Sequence, residues 1–255
     1  MMRRWLVAGF AGVMGLAMVG NAQAPAGSHK WAVVLHGGAG VIERSSMTPE
    51  AEAEYRAGIK TALDAAAAVL DKGGSSMDAV EAAIKILEDD PNFNAGRGAV
   101  FAADGTNQLD SAMMDGKTLM AGAVADVQRT RHPISLARVV MEKSPHVFLI
   151  GSGADAFAAH EHLEQVPPSF FFTERRWQAL VKELKKEGQP IPARPEGAPP
   201  EPAKPMAFFE TPEAHKYGTV GVVALDRNGN VAAGTSTGGL TANHSDGCGT
   251  VDSGP

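Results

Sequence analysis

The chain has 255 residues, of which 44% are hydrophobic and 20% are charged, a balance typical of a globular protein and not of a disordered or fibrous one. Its formal net charge of -6 argues against a nucleic acid or an anionic membrane surface as the main partner. Cys248 is the single cysteine, which excludes an internal disulfide framework and a thiolate cluster for zinc or iron–sulfur. Any cofactor must therefore be held by other groups.

The first 24 residues are typical of a secretory signal peptide. Arg3 and Arg4 precede an apolar run at residues 5–19, and Ala22 and Ala24 supply the small side chains of a cleavage site. The run is about 15 residues long, which is shorter than the roughly 20 that a bilayer-spanning helix needs. We therefore expect export to the periplasm or the medium, without a membrane anchor once the signal peptide is removed.

The chain beyond the signal peptide predicts an α/β protein. The apolar run at residues 31–35 predicts a short buried strand, which ends in the glycine turn His-Gly-Gly-Ala-Gly at residues 36–40. Alanine-rich patterns at residues 49–72 and 76–89 predict two helices that cover a sheet. The pair Ser75-Ser76 provides candidate N-caps for the second helix.

A hairpin and a strand–helix–strand unit are predicted next. Residues 92–101 are typical of a loop that enters a strand, and residues 108–116 of a strand that ends at a turn, so together they predict a hairpin. A strand is expected from Val124 onward, followed by a helix at residues 134–142 that opens with Pro133. The apolar run at residues 147–150 then predicts a strand that leads directly into another helix.

Residues 189–205 differ sharply in composition from the rest of the chain. This stretch contains seven prolines, a density that prevents regular helix or strand. It predicts a linker between two parts of the chain.

The segment after the linker predicts a second hairpin, whose register decides where two threonines lie. A three-residue loop with Gly229 in the left-handed region pairs Thr219 with Thr237 and places both hydroxyls on one face of the sheet. A two-residue turn shifts the register by one residue and places them on opposite faces. Threonine is common in strands, but Thr219 also follows a glycine and a linker, where cleavage would expose a new N-terminus.

Two glycine-rich motifs also allow an esterase of the α/β-hydrolase class. The turn at residues 36–40 imitates its oxyanion loop, and Gly-Thr-Ser-Thr-Gly at residues 234–238 imitates its nucleophile elbow. In that class an acid and then a histidine follow the serine, whereas here His244 precedes Asp246 and Asp252. The esterase is therefore the less favoured alternative.

Five motifs in order along the chain resemble the plant-type L-asparaginase or isoaspartyl peptidase family of N-terminal nucleophile hydrolases. They lie at residues 31–40, 88–98, 109–116, 131–138, and 218–221 together with 235–239. The resemblance covers nearly all of residues 31–239. It implies a four-layer αββα sandwich, made as a precursor that cleaves itself into two parts that stay together.

The resemblance also implies which residues carry the chemistry. Cleavage between Gly218 and Thr219 would divide a first part, residues 25–218, from a second part, residues 219–255. Thr219 would be the nucleophile, with its freed α-amino group as the base, because that amine has an unperturbed pKa of about 7.7 to 8. Thr237 would be the second hydroxyl, which steadies the nucleophile.

Further residues line the site by the same resemblance. Gly37 and Gly38 belong to the loop that supports the cleavage site, and Asn94 lines it. A structural sodium ion is implied in the loop after the second helix, and carbonyl ligation suits such a hard cation. Its ligands would be the backbone carbonyls of Leu87, Glu88, Asp90, Phe93, Ala95 and Arg97.

The activity that the resemblance implies is hydrolysis of the side-chain amide of L-asparagine, of the β-linked bond of an isoaspartyl dipeptide, or of both. The partner would be this small substrate, with no catalytic cofactor, and the cleaved pairs would form a homo-oligomer. Family members continue after the Thr-Gly-Gly motif with a Gly-Arg-Val-Gly-Asp segment that binds the substrate, and later with a Thr-Gly pair that forms the oxyanion hole. Residues 240–255 contain neither.

The second part is therefore expected to be incomplete, with an unpaired sheet edge and an uncovered apolar face. Two hypotheses stay open. In the first, the chain is an exported amidohydrolase that cleaves itself at Thr219. In the second, it is a non-catalytic remnant of the family that stays uncut.

Overall fold

The computed structural model describes residues 31–38, 47–202 and 218–242 of the chain. The predicted signal peptide and the last three residues of the predicted linker, residues 203–205, lie outside the described residues. The described part is an α/β fold, as predicted, in which a six-stranded sheet packs against helices. No helix within the described ranges combines the length and the apolar character needed to cross a bilayer.

In the sheet, the last two strands of the sequence lie between the first and the second strand. Its strands are β1 (Ala32–His36), β2 (Leu109–Asp115), β3 (Ala121–Val127), β4 (Phe148–Ile150), β5 (Val220–Leu225) and β6 (Val231–Thr237). They lie in the order β1-β5-β6-β2-β3-β4, and every neighbouring pair is antiparallel except β3 and β4. The β5–β6 hairpin is therefore held on both sides, which fixes its register.

Five α-helices connect and cover the strands. They are α1 (Pro49–Asp71), α2 (Ser76–Asp89), α3 (Pro133–Lys143), α4 (Gly151–His160) and α5 (Glu174–Glu187). The first three agree with the predicted helices within two residues, α4 directly follows β4 as predicted, and α5 was not predicted. The Ser75 hydroxyl caps α2 by accepting the backbone N–H of Asp78 at 3.1 Å, as the sequence indicated.

The main core lies between the helices and one face of the sheet. In β5 the side chains of Val220, Val222 and Ala224 face this core, and they alternate with residues that face the other way. Helices α2 and α3 cover the strands with Ile84 and Ile134, both fully buried. Each such side chain stabilises the fold by about 1.5–3 kcal/mol relative to an exposed one.

The other face of the sheet is open among the described residues. Val34 on β1 is 71% exposed, and Val223, Val231 and Met114 on the neighbouring strands are each more than 40% exposed. The prediction of a buried first strand is therefore wrong, because β1 is an edge strand with only one covered face. The described residues supply one helix layer and one sheet layer of the expected four-layer αββα sandwich.

The predicted hairpin of residues 92–101 and 108–116 is also wrong. Residues 92–101 contain a short 3₁₀ turn, Gly96–Gly98, and no strand, while β2 pairs with β3 and β6. The backbone of this segment forms hydrogen bonds with side chains and not with a neighbouring strand. Asn94 Oδ1 accepts the N–H of Val100, and the Asn107 amide donates to the carbonyl of Val100 at 3.0 Å.

The proline-rich stretch has no helix or strand in its described part, residues 189–202, as predicted. It nevertheless packs against a second apolar cluster beside α5. Arg194 pairs with Glu174 at 2.6 Å and lies over the rings of Phe172 and Trp177. The cluster itself is formed by Phe101, Phe172, Trp177, Leu180, Leu184 and Ala242.

Candidate active site

The β5–β6 hairpin brings the two predicted threonines together. Val220 pairs with Ser236, and the connecting loop has three residues and ends at Gly229, which has φ +81°. One further step along this register places Thr219 opposite Thr237, on the open face of the sheet. Of the two registers that the sequence allowed, the three-residue loop is the one that forms.

A buried carboxylate fixes this loop and ties it to the helix layer. Asp226 accepts the backbone N–H groups of Asn228 at 2.8 Å, Asn230 at 3.0 Å and Ser76 at 3.3 Å, the last at the start of α2. Burial by itself would raise the pKa of Asp226, but the hydrogen bonds from Asn230, Asn228 and Ser76 outweigh it and lower the pKa. These hydrogen bonds thus fix the register of the hairpin at its loop.

The predicted glycine loop lies on the other side of Thr219. β1 ends at His36, which pairs with Gly221, so the glycine loop begins beside the strand that follows Thr219. Gly37 is packed tightly: a Cβ there would lie 2.5 Å from Phe93 Cε1 and 2.8 Å from Ile59 Cδ1. Only glycine fits at residue 37 without moving these side chains.

Asn94 lies against the predicted cleavage site. Its amide donates to the carbonyl of Gly239 at 2.9 Å, and its backbone carbonyl accepts the N–H of Gly238 at 3.2 Å. A Cβ on Gly218 would lie only 2.5 Å from the Cβ of Asn94. Asn94 therefore contacts Gly218 and also the two glycines that follow Thr237.

Asp110 is a site residue that the sequence reasoning missed. It pairs directly with Thr237 across β2 and β6, and it lines a pocket together with Asp126, Gly238 and Gly239. Burial and the charge of Asp126 raise the pKa of Asp110, although the backbone N–H of Asp126 donates to it at 3.0 Å. The sequence feature that could have identified Asp110 is that it is an acidic residue inside a largely apolar strand.

The helix-facing side of the hairpin removes the esterase alternative. The Ser236 side chain is 1% exposed and donates to Glu88 at 2.7 Å, away from the open face. Glu88 also accepts the N–H of Ile134 and contacts His132 at 3.2 Å. Burial raises the pKa of Glu88, while His132, Ser236 and Ile134 oppose the rise. Ser236 is a buried structural residue and not an exposed nucleophile.

The predicted sodium loop curls around the end of α2. Leu87 and Glu88 belong to the last turn of that helix, whose carbonyls have no partner within the helix. Gly96 and Gly98 are packed so closely that a Cβ on Gly96 would clash with the carbonyl of Glu88, and one on Gly98 with that of Phe93. The Glu88 and Phe93 carbonyls thus lie within one tight loop, and carbonyl oxygen is a ligand type that suits a hard cation. Within the described residues no group of three or more His, Cys, Asp or Glu side chains offers a metal site.

A threonine pair on a central hairpin, with a glycine loop on one side and Asn94 against the preceding glycine, is the arrangement of an N-terminal nucleophile hydrolase. A family model described as Asparaginase matches residues 29–248, and the chain belongs to this family.

Curated relatives agree with this assignment. The chain is 44% identical over 212 residues to the isoaspartyl peptidase of Escherichia coli K12, covering 83% of this chain and 62% of that relative. It is 43% identical to the isoaspartyl peptidase of Salmonella typhimurium, covering 84% of this chain and 64% of the relative. It is 42% identical to the human isoaspartyl peptidase/L-asparaginase, covering 82% and 60%. The chain thus spans about three fifths of the length of these relatives.

Proposed function

We propose that the chain is an autocleaving amidohydrolase of the isoaspartyl peptidase and L-asparaginase type. The observation that carries this proposal is the placement of Thr219 opposite Thr237, with Gly218 held against Asn94. Family membership and relatives named isoaspartyl peptidase support it. The chemistry has two stages, which use the same hydroxyl.

The first stage cleaves the precursor. The Thr219 hydroxyl oxygen attacks the carbonyl carbon of Gly218, the C–N bond to Thr219 breaks, and the hydroxyl proton passes to the nitrogen that leaves. Water then hydrolyses the ester, which releases the Gly218 carboxylate and restores the hydroxyl. Gly218 suits this position because it has no Cβ to collide with Asn94.

The second stage acts on the substrate. The freed amine of Thr219, with an unperturbed pKa of about 7.7–8.0, is partly unprotonated near neutral pH and takes the proton of its own hydroxyl. The hydroxyl oxygen attacks the β-amide carbon, and ammonia or the amino end of a peptide leaves with one proton. Water resolves the resulting acyl-enzyme. No separate histidine base is needed.

The substrate would bind beside the threonine pair. A small depression lined by Asp110, Asp126, Gly238 and Gly239 lies beside the threonine pair, and the proposal places the substrate amide there. L-Asparagine and β-aspartyl dipeptides both place a β-amide next to charged groups, so the proposal covers both substrates.

Three further proposals accompany the activity. The carbonyls around the end of α2 would hold a structural sodium ion, which would act on stability and not on the reacting atoms. Export is proposed from the composition of residues 1–24. A homo-oligomer of cleaved pairs is proposed from the family resemblance.

Release of ammonia from L-asparagine, and of the free amino acid from a β-aspartyl dipeptide, tests the activity. We expect Thr219→Ala to abolish both reactions and Thr237→Ala to reduce them strongly. Thr235→Ala is the matched control, since Thr235 lies on the same strand and face but is exposed and two residues from the site. An active Thr219→Ala variant would overturn the role of Thr219, and a wild type that releases neither product would favour the non-catalytic remnant.

A further inference from the structure

Arg176 is the one lysine or arginine that is buried among the described residues. Its side chain, near the start of α5, is only 7% exposed. Its Nε donates to the backbone carbonyl of Gly98 at 2.8 Å. Within the described ranges its other two nitrogens, Nη1 and Nη2, have no hydrogen-bond partner, and no carboxylate forms an ion pair with it.

The two nitrogens without a partner still reach solvent. In the part of the chain that the structure describes, the fully buried side-chain nitrogen and oxygen atoms that lack a partner are Arg194 Nε and Thr241 Oγ1. Nη1 and Nη2 of Arg176 are not among them, so the small exposed fraction of this side chain includes its Nη edge. A guanidinium presents these two nitrogens as a planar fork of N–H donors. The fork of Arg176 is therefore open to a ligand.

A second guanidinium adds positive charge at the same loop. Arg175 donates from Nη1 to the Tyr55 hydroxyl and from Nη2 to the carbonyl of Pro91, both at 2.8 Å. Pro91 lies against Gly98, since a Cβ on Gly98 would lie 2.6 Å from the carbonyl oxygen of Pro91. The two arginines thus bind neighbouring carbonyls, and the described residues supply neither of them with an acidic partner.

The surroundings of Arg176 favour an anion. Burial and the charge of Arg175 lower the pKa of Arg176 to about 9, while a smaller effect of Tyr55 opposes the fall. Arg176 therefore keeps its charge near neutral pH. A buried charge without a counter-ion is unfavourable, because no ion pair offsets the loss of its hydration.

We propose that Arg176 is the centre of a binding site for a small carboxylate, whose two oxygens accept hydrogen bonds from Nη1 and Nη2 while Arg175 adds positive charge. A carboxylate matches the guanidinium fork with two parallel hydrogen bonds, which a spherical anion such as chloride cannot form. The site is independent of the proposed function, because none of its residues is assigned to the reaction.

Carboxylate binding would stabilise the loop that carries Asn94. Arg176 bonds to Gly98, and Asn94 Oδ1 accepts the N–H of Val100 in the same loop. The unfolded chain does not assemble this site, and a ligand that binds only the folded state raises the stability of that state.

Thermal unfolding of the full chain tests the site with acetate as the probe. Sodium acetate is compared with sodium chloride at the same pH, sodium concentration and ionic strength, so that neither sodium binding nor screening differs between the two. At roughly ten times its dissociation constant, we expect acetate to raise the unfolding midpoint by about 3–6 °C. Equal midpoints in the two salts across the whole concentration series would overturn the proposal.

Two arginine-to-lysine variants separate this site from binding elsewhere. Arg176→Lys keeps the positive charge but loses the fork, so most of the acetate-dependent rise in the midpoint should be lost. Arg56→Lys is the matched control, because Arg56 is exposed on α1 and pairs with Glu52. It should keep the full rise. An acetate-dependent rise in Arg176→Lys as large as that of the wild type would overturn the proposal.

An NMR titration of the wild type needs no variant and so does not depend on whether Arg176→Lys folds. The ¹H–¹⁵N signal of the Arg176 Nε–H group is identified by its NOEs to Gly98, to which it donates. We expect acetate to shift this signal to saturation, with the dissociation constant that the midpoints give, and chloride to leave it in place. A signal that does not move while acetate raises the midpoint would show that acetate binds elsewhere, and would overturn the proposal.

Discussion

Asn94 connects three segments that meet at the proposed site. Its side chain donates to Gly239 and accepts from Val100, and its Cβ lies against Gly218. We expect Asn94→Ala to lower the free energy of unfolding by about 1–3 kcal/mol, because it leaves buried backbone groups without partners. Self-cleavage should slow as well. Urea unfolding and intact mass measure the two effects.

Asn92 provides the matched control for this change. Its side chain makes no hydrogen bond among the described residues, although its backbone carbonyl accepts from Arg175. Asn92→Ala should therefore change the free energy of unfolding by no more than about 0.5 kcal/mol. A loss as large as that of Asn94→Ala would show that the amide contacts of Asn94 are not what stabilises this segment.

The sequence could indicate some of the site residues and not others. Thr219, Gly38 and Asn94 stand in short motifs whose residue types restrict their roles, so they could be named before the structure was known. Asp110 reaches the site only through the pairing of β2 with β6, between residues more than a hundred positions apart. Local patterns do not specify such a pairing, because the register depends on the whole sheet.

At the scale of elements, the loop of the β5–β6 hairpin should depend on pH through Asp226. The folded state lowers the pKa of Asp226 below its ordinary value of 3.8, so the stabilisation is present above that value and is lost as the pH falls through the folded pKa. We expect Asp226→Asn to destabilise the protein by about 1.5–3 kcal/mol at pH 7. The difference between wild type and variant should shrink below about pH 3.8 in urea unfolding. A difference that is constant from pH 7 to pH 3 would contradict this account.

The contact between β3 and α3 depends on one glycine. A Cβ on Gly122 would clash with the backbone carbonyl of Ala137 and lie 2.7 Å from the backbone N of Met141. Gly122→Ala should therefore force the helix away from the sheet and cost about 1–3 kcal/mol of stability, measured by urea unfolding.

Gly153 is the matched control on α4. A Cβ there would have no atom within 4 Å, and its φ is not in the left-handed region. Gly153→Ala should leave the stability unchanged or raise it by up to about 1 kcal/mol, because alanine favours a helix more than glycine does. Equal stability of Gly122→Ala and Gly153→Ala would contradict the close packing of α3 against β3 at Gly122.

Helices were easier to predict from the sequence than strands. Alanine-rich periodicity and capping residues are local, so α1 and α2 were predicted almost to their ends. The segment at residues 92–101 has strand-like composition, but the side chains of Asn94 and Asn107 satisfy its backbone and it never joins the sheet. Hydrogen bonds from polar side chains, which here take the place of a partner strand, do not alter the hydrophobic periodicity from which strands are predicted.

For the whole molecule, the two faces of the sheet should respond differently to the same substitution. Val222 on β5 is 2% exposed, and its neighbour Val223 is 47% exposed on the open face. We expect Val222→Thr to cost about 1–3 kcal/mol, because it buries a hydroxyl. Val223→Thr should stay within about 0.5 kcal/mol. Equal losses in urea unfolding would mean that another layer covers the open face in solution.

The most direct test of the central claim is the intact mass of the 255-residue chain, followed during incubation at neutral pH. We predict two fragments that divide between Gly218 and Thr219, and a Thr219→Ala variant that stays whole under the same conditions. A wild-type chain that keeps a single mass spanning both residues would contradict the account.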